Sequence, residues 1–160
     1  MTVQSPVASF TLSSPVFAQG AAIPAQFTCD GADKSPPLTW TGAPAGVQSF
    51  ALIMDDPDAP IGTWVHWVIF NIPASTTDLP ATIGPDPTLE DGSIQGLNSW
   101  RRVGYGGPCP PRGQHRYFFK LYALDTMLAL RSSATKTDLL RAMEGHILAQ
   151  AELMGVYRRR

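Results

Sequence analysis

The sequence predicts an all-β-dominated single domain, a β-sandwich with one α-helix at its C-terminal end. Two observations carry that reading. Fifteen prolines and fourteen glycines in 160 residues impose many turns. Three short segments, Phe50–Met54, Trp64–Asn71 and Tyr117–Leu124, are apolar and rich in β-branched or aromatic residues. A third observation places the helix. Leu139, Leu140, Met143, Ile147, Ala151 and Met154 recur at threes and fours, the helical spacing.

In chain order, residues 1–20 alternate loosely and predict one or two strands at a sheet edge. Cys29-Asp30-Gly31 and Gly42-Ala43-Pro44-Ala45-Gly46 read as turns, flanking an extended entry at Ser35-Pro36-Pro37. Phe50–Met54 reads as a strand buried on both faces and exits into Asp55-Asp56-Pro57-Asp58-Ala59-Pro60. Trp64–Asn71 is the second strand, closing at Ile72-Pro73. Residues 73–100 hold no periodic segment and read as a long surface connection with room for one short strand. The glycine- and proline-rich stretch Gly104–Gly113 then runs through Gln114 into His115-Arg116-Tyr117 and the third strand. Thr135 with Asp138 three residues later resembles a capping box opening a helix of about 17 residues, with Gly145 inside it.

Composition excludes some functions. The net charge of −1 offers no basic field for nucleic acid or an anionic membrane. No run reaches the roughly 18 apolar residues of a membrane-spanning helix. The first basic residue is Lys34, so the N-terminus lacks the charged region of a signal peptide, and the expected location is the cytoplasm. There, Cys29 and Cys109 are expected as free thiols rather than a disulfide.

Chemistry gathers at one end of the expected sheet. If the Phe50 strand is antiparallel to the other two, its exit lies beside both of their entrances. Asp56, Asp58, His66, His115 and Tyr117 then meet at the Gly/Pro loop. His and Asp together suit a divalent metal, but the two histidines lack a metal-site spacing. A hydrolytic nucleophile is less supported still, with no G-x-S-x-G elbow and Cys109 set between prolines. The remaining reading is an anion site: backbone N–H groups of Gly106, Gly107 and Cys109 forming a nest, His66 and Tyr117 donating, and an aspartate orienting His66. A doubly protonated His66 would then hold the anion, so affinity should weaken as pH rises.

Asp56-Pro57-Asp58-Ala59-Pro60, Trp64-Val65-His66-Trp67 and Gly104–Gly113 with His115-Arg116-Tyr117 resemble the phosphatidylethanolamine-binding proteins, in particular the bacterial branch called Raf kinase inhibitor-like. Cys29-Asp30-Gly31, the Ser35–Trp40 segment and Glu144-Gly145-His146 are similar to that branch too. The resemblance spans nearly the whole chain, 1–160, as one domain. It implies a two-sheet antiparallel Greek-key β-sandwich with a C-terminal helix, and a small pocket for phosphate, acetate or a phosphorylated head group. By match, Asp56, Asp58, Pro60, His66, Tyr105, Gly107, Cys109, Pro110, Pro111, His115 and Tyr117 line or frame that pocket. The family further implies a homodimer, and it points to a cis bond at Ala59–Pro60, where a tight turn also suits one. Val65 departs from the pattern, standing where eukaryotic members tend to carry another histidine. The resulting expectation is a non-enzymatic binding protein without cofactor or metal. Its ligand is a small phosphorylated or carboxylate anion, and modulation of a kinase or protease partner is supplied by the family alone. The alternatives are an interaction protein with a vestigial pocket and a metal-dependent hydrolase.

Overall fold

A computed structural model describes residues 9–159. The chain forms β1 (Thr11–Ser13), β2 (Leu38–Thr41), β3 (Ser49–Asp56), β4 (Trp64–Pro73), β5 (Asp78–Leu79), β6 (Ile94–Gln95), β7 (Gln114–Leu124), α1 (Lys136–Met143) and β8 (Ile147–Arg158). The strands build two antiparallel sheets, ordered β1-β2-β5 and β6-β4-β3-β7-β8. The expected long connection over 73–100 therefore contributes two short strands, one to each sheet. The expected N-terminal edge strand is β1, and residues 1–8 lie outside the described residues.

The three apolar segments are the centre of the larger sheet. β3 runs between β4 and β7, antiparallel to both, and all eight of its residues are buried. Alternation along the strand sends its side chains to two cores. Phe50, Leu52 and Met54 join Trp67, Ile69, Tyr117, Phe119 and Leu121 against Leu12, Leu38, Trp40 and Leu79 of the smaller sheet. Ala51 and Ile53 face the other way, with Val68, Phe70 and Leu124, and are covered by Leu139 and Met143 of α1 and by Leu128. Burying side chains of that size contributes about 1.5–3 kcal/mol each.

The same alternation separates the two aspartates that end β3. Asp55 falls on the helix side, where Lys136 Nζ lies 2.7 Å and Lys120 Nζ 3.3 Å from its carboxylate. This pins the first turn of α1 to the sheet. Asp56 falls on the opposite side and is 3% exposed.

The C-terminal helix is a correction. The capping box is present, with Thr135 and Asp138 bonding reciprocally, but α1 ends at Met143 and is followed by a twelve-residue strand. The reason is Gly145, whose φ of +78° is left-handed backbone that stops a helix. Beyond it, Ala151, Leu153, Gly155 and Tyr157 are the inward-facing residues, a period of two. Ile147, which belonged to the helical pattern, is exposed, as is Leu148 beside it. The helix thus sits before the last strand, not at the end of the chain.

Two further expectations fail. Cys29 and Cys109 form a disulfide, with Cα atoms 5.4 Å apart. No cis peptide bond occurs among the described residues, so Ala59–Pro60 is trans. The reversal after β3 is made by other means: Asp56 Oδ1 accepts from the Asp58 N–H at 2.7 Å, and Gly62, at φ +109°, donates back to the Ala59 carbonyl.

Candidate functional site

The exit of β3 does lie beside the entrances of β4 and β7: Asp56 pairs with Trp64, and Asp55 pairs with Phe118. An open cavity of about 1180 Å³ occupies this end of the molecule. Asp56, Pro60, His66, Cys109, Pro110, Pro111, His115 and Tyr117 all line it. Asp58, Tyr105 and Gly107, expected with them, do not.

Each of these three has another task. Asp58 turns outward and takes Arg116 in a two-pronged pair, at 2.9 Å from Nε and 2.8 Å from Nη2, plus the Arg116 backbone N–H at 2.9 Å. Those side-chain bonds hold its carboxyl down at about 2, below the ordinary 3.8, against a smaller opposing push from burial. A carboxyl depressed in the fold contributes stability above its unfolded value and loses it as pH falls through the folded one. The pair is therefore expected to give at most about 1 kcal/mol, since it is surface-exposed. That contribution should disappear between pH 3.8 and about 2. Urea unfolding of wild type and Asp58→Asn should then converge at the acid end and differ at pH 6.

Tyr105 and Gly107 hold the Gly/Pro loop in place. Tyr105 Oη donates to the Phe27 carbonyl at 2.7 Å, and the Gly107 N–H donates to Asp33 Oδ1 at 2.8 Å. The Pro108 carbonyl accepts from the Cys29 N–H, and the disulfide completes the attachment. A Cβ on Gly107 would sit 2.5 Å from the Phe27 carbonyl oxygen, so only glycine fits so close to this backbone. The expected backbone nest is thus corrected. The Gly106 N–H is also spent, on the His66 carbonyl.

What faces the cavity is a set of rings. His115, 7% exposed, has its Nδ1 2.6 Å from Asp56 Oδ2. This leaves Nε2 as its remaining polar atom. His66, 3% exposed, has its Nδ1 2.7 Å from the Gly106 carbonyl. The expected aspartate partner for His66 therefore belongs to His115 instead. Burial lowers the His66 pKa below its ordinary 6.5, outweighing the Gly106 bond and the carboxylates of Asp56, Asp33 and Asp55. The doubly protonated His66 expected from the sequence is disfavoured for that reason. Tyr117 lies between the two histidines, its ring centre 5.2 Å from that of His66 and 6.5 Å from that of His115. Its hydroxyl is buried and has no hydrogen-bond partner. Burial first, then Asp56 and Asp58, raise its pKa, so it remains a neutral phenol. The Cys109 N–H is close enough to oppose that shift while falling outside hydrogen-bond geometry.

Sequence reasoning missed Trp100. Its ring meets His66 edge-on at 5.1 Å and Trp64 at 5.4 Å, and it occupies the space a Cβ on Gly106 would need. Asn98 aims it, accepting from the Trp100 and Arg102 N–H groups and donating to the Gly104 carbonyl. The Asn-Ser-Trp-Arg run was the available signal, as an Asx turn inside a segment without periodicity. Among the described residues no group of three His, Cys, Asp or Glu is placed to hold a metal ion.

The family model for phosphatidylethanolamine-binding protein matches residues 13–158. The chain belongs to the phosphatidylethanolamine-binding protein family. Among relatives in that family, it is 54% identical over 148 residues to a UPF0098 protein of Methanothermobacter thermautotrophicus, covering 92% of this chain and 98% of the relative. It is 51% identical to a UPF0098 protein of Aquifex aeolicus, covering 89% and 85%. Two solved structures share the fold. The family homolog CT736 of Chlamydia trachomatis has a TM-score of 0.88 at 39% identity, covering 95% of this chain and 99% of that one. YbcL of Escherichia coli, described as a new member of the mammalian family, has a TM-score of 0.89 at 36% identity, covering 96% and 100%.

Proposed function

We propose that the cavity is a non-enzymatic binding site for a small phosphoryl or carboxylate anion, held at its floor by Tyr117, His115 and His66. The observation that carries this reading is the Tyr117 hydroxyl, buried without a partner between two histidines whose second nitrogens are unspent. A buried polar group left unpaired costs about 1–3 kcal/mol, and a ligand accepting from it recovers that cost. His115, oriented by Asp56 through Nδ1, adds a charge-assisted donor at Nε2 when the ring carries both protons. Asp56 would repel an anion, and its bond to His115 turns that charge aside. The reading is of binding without turnover, because Cys109 is tied in a disulfide and Asp56 is engaged by His115 and the Asp58 N–H. Calorimetric titration with inorganic phosphate and phosphoethanolamine tests it. Wild type should bind both, and Tyr117→Phe should bind at least about threefold more weakly, as expected for one neutral hydrogen bond. Equal affinities would set the reading aside.

We read the two sheets as a Greek-key β-sandwich, as in the family, and the chain as a homodimer. Sedimentation showing only 17.3 kDa would remove the dimer. The disulfide argues against the expected cytoplasmic location, because cytosolic thiol buffers keep most such pairs reduced. We therefore place the chain in an oxidising compartment, and alkylation of intact cells that labelled both cysteines would reject this. Modulation of a kinase or protease rests on family likeness, and inhibition assays with purified enzymes are its test.

A further inference from the structure

His66 fixes the protonation state that the anion must have. A carbonyl oxygen only accepts, so the Nδ1 atom facing the Gly106 carbonyl at 2.7 Å carries the proton. In a neutral imidazole the other nitrogen is then bare. His66 lines the cavity floor and is 3% exposed, so its Nε2 is an acceptor at the edge of the anion site rather than a donor. The Tyr117 hydroxyl supplies a donor beside it, and His115 Nε2 is a second donor whenever that ring carries both protons. An anion with no hydrogen would put oxygen lone pairs against that bare nitrogen, and a site that leaves a buried polar group unmatched discriminates strongly.

We propose that the site selects a phosphoryl group bearing one P–OH, inorganic phosphate or a phosphomonoester in its monoanionic form, and rejects sulfate and phosphodiesters. This rests on the anion reading above and names the ligand class within it. The P–OH donates to His66 Nε2, while the other oxygens accept from Tyr117 Oη and His115 Nε2. An intact phospholipid head group is a diester and lacks the required hydrogen, so the source is a free phosphate or a monoester.

The pH dependence follows from the groups around His66. Asp55 and Asp56 reach it from β3, His115 and Tyr117 from β7, and Asp33 from the segment before β2. Arg101 and Lys136 line the same cavity, and Lys136 is engaged by Asp55. Loss of the ligand's own proton, with a pKa of about 6 for a monoester, weakens only phosphate and monoesters. Below its lowered pKa, His66 gains a second proton and becomes a donor, so the preference for P–OH should fade at the acid end.

The test is calorimetry at pH 6 with four probes: inorganic phosphate, methyl phosphate, dimethyl phosphate and sulfate. Dimethyl phosphate has the charge of the monoanion but no hydrogen, which separates proton matching from charge. Wild type should bind phosphate and methyl phosphate at least about tenfold more tightly than the other two, a difference of about 1.4 kcal/mol. His66→Phe, which keeps a ring and removes the acceptor, should bring that ratio below about threefold. Comparable binding of all four probes by wild type, or an unchanged ratio in His66→Phe, overturns the proposal and leaves the anion site standing. Binding of none of them overturns the anion site as well. If His66→Phe does not fold, the ¹⁵N spectrum of wild type decides: a protonated Nδ1 with a bare Nε2 at pH 6–7 is expected, and the reverse tautomer rules the proposal out.

Discussion

His115→Ala is expected to lower stability by about 3 kcal/mol and to weaken phosphate binding at least tenfold. The stability loss comes from Asp56. Its carboxylate is 4% exposed and its partner ring 9% exposed, so removing the ring leaves a buried charge without compensation. Breaking such a pair from one side typically costs 3–5 kcal/mol. The lower figure is used because Asp56 keeps its bond from the Asp58 N–H. The affinity loss has two parts: a charge-assisted donor goes, worth about 1.5–3 kcal/mol, and an unmasked carboxylate repels the ligand. The double variant His115→Ala/Asp56→Asn separates them. Asparagine keeps the acceptor for Asp58 and removes the charge, so unfolding by urea should show most of the stability restored while calorimetry shows binding still weak. If His115→Ala proved as stable as wild type, the pair would not carry the energy assigned to it.

Removing the disulfide is expected to cost about 4–5 kcal/mol by the chain-entropy relation, since it joins residues 80 apart. For a chain of this size that lowers Tm by on the order of 10 °C. The effect extends to the cavity because Cys109, Pro110 and Pro111 form part of its wall. The loop would keep three attachments after reduction: Tyr105 to Phe27, Gly107 to Asp33, and Cys29 N–H to Pro108. It should therefore loosen without unfolding, and phosphate affinity should fall severalfold. Thermal unfolding of the Cys29→Ser/Cys109→Ser protein, beside wild type with and without reductant, measures this. Equal Tm values in all three samples would mean that the bond adds no stability.

The sequence exposed the strands that build the site and concealed the way its end is locked. β3, β4 and β7 were legible because continuous apolar runs between turn signals have one economical placement, the middle of a sheet. Placing them antiparallel brought Asp56, His66, His115 and Tyr117 together before any relative was considered. The pairing within that group was not legible. Asp56, Asp58, His66 and His115 allow several pairings at equal plausibility, and side-chain direction at a strand end decides between them. β8 was misread because Ile147, Ala151 and Met154 satisfy the helical spacing while Ala151, Leu153, Gly155 and Tyr157 satisfy alternation. The left-handed backbone at Gly145 resolved that ambiguity, and a glycine in sequence does not announce its φ. The disulfide was missed because the low cysteine count was weighed with an expected compartment rather than with distance. Trp100 stayed hidden because nothing periodic surrounds it, and only the fold brings it to His66.

The most direct test of the anion pocket is a crystal structure of the oxidised protein grown in phosphate near pH 6. The prediction is one phosphate at the cavity floor, with oxygens at hydrogen-bond distance, about 2.5–3.2 Å, from Tyr117 Oη, His115 Nε2 and His66 Nε2. Clear density showing only water against Tyr117 Oη, or a phosphate bound away from all three rings, would contradict it.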